Sequence, residues 1–225
     1  MSGHDPLTIN IVTIFPGFFE TPLATSIPGR AAEAGLVRYR VVDLRSFTSD
    51  RHQTVDDTPY GGGAGMVLKP EPFFDAVDSL APQGPVVLLS ARGKMFSHDD
   101  AVRYAVQPDL TLLCGHYKDV DQRVADHVAT EEISLGRFVL SGGEIGALAV
   151  ADSVVRLLPG ALGDHDSAAT DSFYAGASLS APSYTRPADY RGYAVPEVLR
   201  GGDHRQIEEW REAEAIRRTA EQEGE

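Results

Sequence analysis

The segment Leu135–Glu144 is the stretch of this chain best suited to hold a flat, polar ligand. It follows a β-rich run, reads Leu-Gly-Arg-Phe-Val-Leu-Ser-Gly-Gly-Glu, and opens onto a long apolar run. The segment is rich in exposed main chain, whose N–H and C=O groups can contact such a ligand. Phe138, Val139 and Leu140 are apolar where an idle surface loop would be polar. The segment therefore indicates a pocket wall. The alternative is an ordinary strand-to-helix connection in which Gly142 and Gly143 only permit positive φ.

Two further loops, Ser90–Lys94 and Gly115–Lys118, also follow strand-like runs. In open α/β sheets ligands bind beyond the carboxyl ends of the strands, so the three loops predict one pocket. It belongs to neither common nucleotide-binding type, because the chain has no G-x-G-x-x-G and Arg92–Met95 lacks the surrounding residues of a P-loop. We interpret His116 as solvent-facing or bonded to the main chain, and Cys114 as a small buried hydrophobe.

A glycine-rich stretch, Tyr60–Met66, follows the polar run Asp50–Asp57. A flexible turn is the ordinary explanation of a glycine run. Arginine, histidine and paired acids beside it are more typical of a substrate clamp.

Two charged residues, Arg156 and Asp171, each have a structural and a functional explanation. Arg156 belongs to an almost wholly apolar predicted helix, where either an i,i+4 pair with Asp152 or contact with a substrate would explain it. Asp171 lies in the loop Thr170–Phe173, where an acid alone is more often a cap or a turn residue than a catalyst.

Strand-like and helix-like patterns alternate through residue 158 and predict an α/β domain with a parallel sheet covered on both faces. The predicted strands are Leu7–Phe15, Val37–Leu44, Pro85–Leu89, Leu110–Cys114 and Glu132–Leu135. The predicted helices are Pro16–Ala34, Pro70–Leu80, Ser97–Val106 (capped by Ser97), Asp121–His127 and Glu144–Leu158. Residues 45–66 are predicted to be a long loop.

The composition changes after Pro159-Gly160, and the chain is predicted to divide there. Residues 1–160 form the α/β domain, residues 161–187 a flexible interdomain linker rich in Ser, Ala, Asp and Pro, and residues 188–225 a small helical domain. Asp203–Gln206 resembles a capping box that starts the last helix.

The bulk composition is that of an ordinary globular protein, with 42% hydrophobic and 24% charged residues in 225. No apolar run reaches the roughly 20 residues that cross a bilayer. The N-terminus lacks the features of a signal peptide. A single cysteine excludes an internal disulfide and a cysteine-based zinc cluster. We expect a cytoplasmic protein with no membrane partner and no protein-bound metal cluster.

The net charge of −13 is less ordinary, and the basic residues comprise 17 arginines and only 3 lysines. Such a surface disfavours non-specific binding to nucleic acid, which depends on neutralising phosphates. Either the protein avoids polyanions, or it comes from a salt-rich cytoplasm in which surface acids maintain solubility.

Five motifs in order carry a resemblance to a known family. They are Asp50–Met66, Cys114–Arg123, Leu140–Glu144, Thr170–Phe173 and Tyr184–Pro187. Together the set, which extends over about residues 7 to 212, resembles the bacterial tRNA (guanine-N1)-methyltransferases, the TrmD type of the SPOUT superfamily. This resemblance implies a deep trefoil knot at the C-terminal end of the α/β domain, which periodicity cannot reveal.

The resemblance also implies an activity, a cofactor and partners. The family uses S-adenosylmethionine to methylate N1 of guanine at position 37 of tRNA, and it works as a homodimer whose active sites use both subunits. Mg²⁺ could assist, although no site for it is evident. The residues matching the cofactor site are Ser90, Gly115, Leu135, Gly136, Arg137, Phe138, Val139, Leu140 and Gly142.

Matching residue by residue implies catalytic roles as well. Asp171 corresponds to the family's general base for the N1 proton, and Arg156 to the arginine that stabilises negative charge on O6. The residues expected to contact the tRNA are Arg51, His52, Asp56, Tyr60, Ser172 and Arg186.

The chain departs from the commonest family pattern at two places. His116-Tyr117-Lys118-Asp119 stands where many members have Arg-Tyr-Glu-Gly, and the chain ends some 14 residues after Arg211. Two other functions remain as alternatives: methylation of another substrate, such as a different RNA or a small molecule, and RNA binding without catalysis.

Overall fold

Runs rich in Val, Ile and Leu form a parallel sheet whose central strands are buried on both faces. The computed structural model describes residues 5–162, 171–174 and 178–223, and the chain divides into two compact units, residues 1–163 and 164–225. The strands of the first unit are β1 (Leu7–Thr13), β2 (Val37–Asp43), β3 (Asp56–Asp57), β4 (Val67–Leu68), β5 (Val86–Met95), β6 (Asp109–Cys114), β7 (Asp119–Val120) and β8 (Glu131–Ser134). Its helices are α1 (Glu20–Leu23), α2 (Ser26–Glu33), α3 (Pro70–Leu80), α4 (His98–Ala105), α5 (Gln122–His127) and α6 (Glu144–Val155), with 3₁₀ turns at Pro16–Phe19 and Leu44–Phe47.

The main sheet has the strand order β2–β1–β6–β5–β8, and every neighbouring pair is parallel. The prediction of a mostly parallel sheet flanked by helices is therefore confirmed. Because the strands are parallel, the carboxyl ends of β5, β6 and β8 meet at one edge of the sheet.

Alternating side chains divide the hydrophobic core between the two faces of the sheet. Ile9, Ile11 and Leu112 belong to a cluster that includes residues of α2, α4 and α6. Val12 and Leu113, one residue along, belong to a second cluster that includes residues of α3 and α5. Helices on both faces thus exclude water from the sheet.

Strand β5 is longer than its pattern indicates, and the predicted loop Ser90–Lys94 is wrong as a loop. Leu89 pairs with Ile133 of β8, and Lys94 pairs with the same residue, so residues 90–93 form a bulge inside the strand. A bulge bends a strand and redirects its side chains while pairing continues on either side. The segment therefore leaves the sheet and returns to it.

Two predicted helices differ from the structure. Pro16–Ala34 is three short pieces rather than one helix, because Thr25 is extended and Ser26 has a φ of 55°, which interrupts helical geometry. The last helix of the α/β unit ends at Val155 rather than Leu158, so Arg156 is its C-cap residue. Within the predicted loop 45–66, β3 joins β4 and β7 in a small three-stranded sheet.

The second unit contains a short antiparallel pair and a long helix. Its elements are β9 (Asp189–Tyr190), β10 (Tyr193–Ala194), a 3₁₀ turn at Glu197–Arg200 and α7 (His204–Glu223). The predicted cap of α7 is confirmed, since the Asp203 carboxylate accepts hydrogen bonds from the Gln206 main-chain N–H at 3.2 Å and from its Nε2 at 2.9 Å.

Part of the predicted linker is bonded to the rest of this second unit. The Leu179 N–H donates to Thr219 Oγ1 at 2.9 Å, and the Ser180 N–H donates to Ser172 Oγ at 2.9 Å. Residues 163–170 and 175–177 lie outside the described residues. The domain boundaries and the trefoil knot stay predictions. Among the helices described, none is long and apolar enough to cross a membrane.

Asp100 joins the far end of the β5 bulge to helix α4. Its buried carboxylate accepts hydrogen bonds from Lys94 Nζ at 2.8 Å and from Arg103 Nη2 at 3.1 Å. It also completes a capping box with Ser97, which confirms the predicted cap. Burial alone would raise the pKa of Asp100, but the bonds from Lys94, Ser97 and Arg103 outweigh it and lower the pKa to about 2.

We expect Asp100→Ala to lower the free energy of unfolding by about 2 kcal/mol at pH 7, because a helix cap and two charge-assisted bonds are lost. The folded-state pKa lies below the ordinary value of 3.8, so this stabilisation is present above about pH 4 and is lost as the pH falls toward 2. Urea denaturation between pH 2 and 7 would measure both effects.

The exposed neighbour Asp99 provides the control, since Asp99→Ala should change stability by less than about 0.5 kcal/mol. A deficit of Asp100→Ala that is as large at pH 2 as at pH 7 would contradict the assignment.

Candidate functional site

A cavity of about 250 Å³ lies at the carboxyl edge of the sheet, beside the β5 bulge and the ends of β6 and β8. Three segments surround it: residues 88–92, 115–120 and 133–143. Eight of the nine residues predicted to hold a cofactor line this cavity: Ser90, Gly115, Leu135, Gly136, Phe138, Val139, Leu140 and Gly142. Arg137 is exposed and is not among the lining residues. The structure thus gathers the three predicted segments, while their ligand stays a prediction.

The two glycines of the third segment are required by close packing rather than by positive φ. The Gly143 N–H donates to Gly115 O at 2.8 Å, and a Cβ at Gly143 would lie 2.8 Å from Cys114 Cα. A Cβ at Gly142 would lie 2.4 Å from His116 Nδ1. Neither glycine has a positive φ, so the interpretation that they serve to permit one is wrong. Their missing side chains let two loops meet main chain to main chain.

The apolar side chains of the third segment are held at the surface. Phe138 is 56% exposed, Val139 86% and Leu140 37%, although all three line the cavity. Exposed apolar groups beside a cavity are typical of a surface that a ligand or partner covers. Their presence supports the interpretation of Leu135–Glu144 as a pocket wall.

A buried carboxylate, that of Glu144, directly follows the third segment, and the sequence pattern did not identify it. Glu144, the first residue of α6, is 5% exposed and accepts a hydrogen bond from Thr13 Oγ1 at 2.8 Å. His116 Nδ1 lies 3.7 Å from Glu144 Oε2, and the His116 ring packs edge-on against Phe15. His116 therefore faces the protein, rather than the solvent. An acid at the first position of a mostly apolar helix was the available signal.

The surroundings of Cys114 do not support a chemical role for its thiol. Burial raises the pKa of its thiol well above the usual range, and the charge of Glu144 raises it further. A thiol in that state is a poor nucleophile. The interpretation as a small buried hydrophobe is confirmed.

The rim of the cavity carries an ion pair between the β5 bulge and β7. Arg92 Nη1 lies 2.7 Å from Asp119 Oδ2, and Nη2 lies 3.2 Å from Oδ1. Asp119 is one of the departures from the commonest family pattern. Lys118 is another such departure. It lies beside the glycine stretch, where a Cβ added to Gly65 would be 3.2 Å from the Lys118 Cβ.

The predicted substrate clamp forms a turn on the surface of the first unit. Asp50 holds it: the Asp50 carboxylate accepts bonds from the N–H groups of Thr54 and His52, and these bonds lower its pKa. Arg51, His52 and Tyr60 are exposed, whereas Asp56 is half-buried in β3. None of these four predicted contacts lines the cavity described above.

Arg156 lies at the opposite end of α6 from the cavity. Gly143 and Gly146, at the start of the helix, line the cavity, whereas the half-buried Arg156 follows its last residue. Twelve helical residues span about 18 Å. Within one chain, therefore, the main chain of Arg156 lies about 15 Å along the helix from Gly146, the last residue of α6 that lines the cavity.

Asp171 and Arg186 line a different cavity, of about 1460 Å³, inside the second unit. Its polar and aromatic lining includes Ser180 and Tyr184, and it is bounded on one side by α7. Ser172 lies beside it, with its Oγ 3.0 Å from Ser180 Oγ. Among the residues that the structure describes, no cluster of three or more His, Cys, Asp or Glu side chains could hold a metal ion.

We expect Glu144→Ala to lower the free energy of unfolding by about 2–3 kcal/mol, because Thr13 loses its buried acceptor and a void remains. Glu144→Gln keeps an acceptor oxygen and should cost about 1 kcal/mol. Urea denaturation measures both, with Glu33→Ala on the exposed face of α2 as the control. Equal losses for the Gln and Ala variants would show that the acceptor role is wrong.

Comparison with known proteins places the chain in a family. A family profile described as tRNA (Guanine-1)-methyltransferase TrmD matches residues 7–225. Proteins named tRNA (guanine-N(1)-)-methyltransferase are similar over nearly their whole length. That of Geobacillus kaustophilus is 49% identical over 216 residues, covering 95% of this chain and 88% of the relative. That of Bacillus subtilis is 49% identical over 217 residues, with coverages of 95% and 89%. That of Listeria innocua is 47% identical over 220 residues, with coverages of 96% and 89%. This chain therefore belongs to the tRNA (guanine-1)-methyltransferase family, TrmD.

Proposed function

We propose that this protein transfers a methyl group from S-adenosylmethionine to N1 of guanine at position 37 of tRNA. The observation that carries the proposal is the near-complete match to the family, with relatives of about 49% identity named for this activity. The cavity that collects the predicted cofactor residues supports it. We also propose a cytoplasmic location, because that is where tRNA is found.

The cavity residues fit an adenosyl ligand in size and chemistry. A volume of about 250 Å³ is close to the lower end of small-molecule pockets, roughly 300 Å³. Gly115, Gly136 and Gly142 would offer main-chain groups to the polar edge of an adenine, and Phe138 and Leu140 would cover its apolar face. When bound, S-adenosylmethionine supplies the electrophilic methyl group on its sulfonium.

The chain's own residues would manage the proton and the charge. Guanine N1 carries a proton at neutral pH, and we assign Asp171 as the base that accepts it. As that proton leaves, negative charge develops on O6, and we assign Arg156 to stabilise it electrostatically. The clamp residues Arg51 and His52, with Tyr60, would hold the tRNA loop so that the target base leaves its stack.

We further propose that the active unit is a homodimer with sites at the subunit interface. The position of Arg156, about 15 Å along α6 from Gly146 at the cavity, supports this arrangement. A residue that far from the cofactor cavity of its own chain could serve the cavity of a partner subunit.

Asp171→Ala should lower methyl transfer at least a hundredfold, because the N1 proton loses its acceptor, while cofactor affinity changes little. Arg156→Ala should lower the turnover number more than the affinity for tRNA. The measurement is transfer of labelled methyl groups to a tRNA transcript, followed by mapping of the modified base. Asp78→Asn, on the exposed side of α3, is the control. Unchanged turnover of Asp171→Ala would remove this residue from the base role.

Two further assays distinguish this function from the alternatives, which are methylation of another substrate and RNA binding without catalysis. A transcript with adenine instead of guanine at position 37 should accept no methyl group, whereas an enzyme acting on a different RNA would not distinguish the two transcripts. Calorimetric titration with S-adenosylmethionine tests the non-catalytic alternative, which predicts no binding.

The acidic composition leads to a salt prediction. A protein with a net charge of −13 that is adapted to a salt-rich cytoplasm should retain most of its tRNA methylation in 1 M KCl. Ordinary RNA binding through counterion release weakens by orders of magnitude over a smaller salt range. Initial rates at a series of KCl concentrations decide the point. A steep loss between 50 and 200 mM would contradict adaptation to salt.

A further inference from the structure

The cavity has a buried floor and an exposed ionic rim. Ile133 is fully buried, Ser134 is 5% exposed and Leu89 is 9% exposed, although all three line the cavity. Arg92 and Asp119 line it too, yet their side chains are 51% and 40% exposed. The pair therefore lies where the cavity meets the solvent.

The two partners belong to different segments of the cavity lining. Arg92 is carried by the β5 bulge, in which its N–H donates to Ser90 Oγ at 3.2 Å. Asp119 is carried by β7, which pairs with β4, and its Oδ1 also accepts from the Val120 N–H at 2.8 Å. The guanidinium contacts both carboxylate oxygens, the fork geometry that gives an Arg–carboxylate pair its directional strength. The pair thus connects the β5 bulge to β7 at the edge of the cavity.

We propose that Arg92 and Asp119 form a latch across the mouth of the cavity and set how fast an adenosyl ligand is taken up and released. This rests on the proposed use of S-adenosylmethionine. A bond across the mouth obstructs movement in both directions, so it controls rate constants rather than affinity. Arg92 and Asp119 are positioning residues here, because they act on the opening between two walls and not on the reacting atoms.

The expected change in the rate constants is small, because the Arg92–Asp119 pair is exposed to solvent. Exposed ion pairs contribute about 0.2–1 kcal/mol, so breaking the latch should raise the association and dissociation rate constants about 1.4- to fivefold each. The dissociation constant should stay within about a factor of two. Salt screens such a pair, so both rate constants of the unaltered protein should rise with KCl, whereas those of a latch variant should respond less.

The experiment measures binding kinetics of S-adenosylmethionine by surface plasmon resonance on the full chain. Arg92→Gln and Asp119→Asn should each give the faster rates, and the double exchange Arg92→Asp with Asp119→Arg should slow them again. Arg123→Gln is the matched control: Arg123 makes an equally short fork with Asp121 but neither lines the cavity. Equal rates for Arg92→Gln and the unaltered protein would overturn the latch.

A direct contact between either residue and the ligand would give a different kinetic result. A variant that weakens affinity through faster dissociation alone would show such a contact and overturn the proposal. The same kinetic measurements with 5′-methylthioadenosine, which lacks the amino-acid tail, test whether either residue recognises that tail. A latch changes the rate constants of both ligands equally. Failure of the unaltered protein to bind S-adenosylmethionine would instead refute the proposed function, and the latch with it.

Discussion

The close meeting of two loops is the constraint on which the site depends. Gly142 and Gly143 approach Cys114 and His116 so nearly that no side chain fits between them. The hydrogen bond from the Gly143 N–H to Gly115 O then fixes the spacing of the two cavity walls. Because Gly143 packs directly against the main chain of Cys114 and Gly115, the separation of the two segments at this point is set by the backbone.

The surrounding interactions keep this contact in place. Glu144 directly follows the two glycines, and its bond to Thr13 ties the start of α6 to the end of β1. Further along α6, Ala147, Val150, Ala151, Val154 and Val155 are buried in the core on one face of the sheet. The helix therefore cannot slide without breaking both a buried hydrogen bond and a hydrophobic contact, so the cavity inherits the stability of the core.

Local patterns were sufficient for the five main strands, for the starts of two helices and for most of the cavity lining. Short β-rich and apolar runs located the strands, Ser97 and Asp203 marked helix starts, and segments that follow parallel strands had to meet at one edge. Contacts between distant residues carry no such pattern. Thr13 and Glu144 are 131 residues apart, and Arg92 meets Asp119 only because β5 bulges. Arg156 matched a family motif, but only the observed end of α6 shows how far it lies from the cavity.

The bulge in β5 also restricts how this part of the chain can change in length. Leu89 and Lys94 pair with the same residue of β8, and a Cβ at Gly93 would lie 2.4 Å from the main-chain nitrogen of that residue, Ile133. Both ends of the four-residue excursion are thus anchored. An ordinary surface loop tolerates insertions, but a residue added or removed here would turn Lys94 to the other face of the strand and away from Asp100. The excursion is therefore constrained in its number of residues and also at Gly93, where no side chain fits.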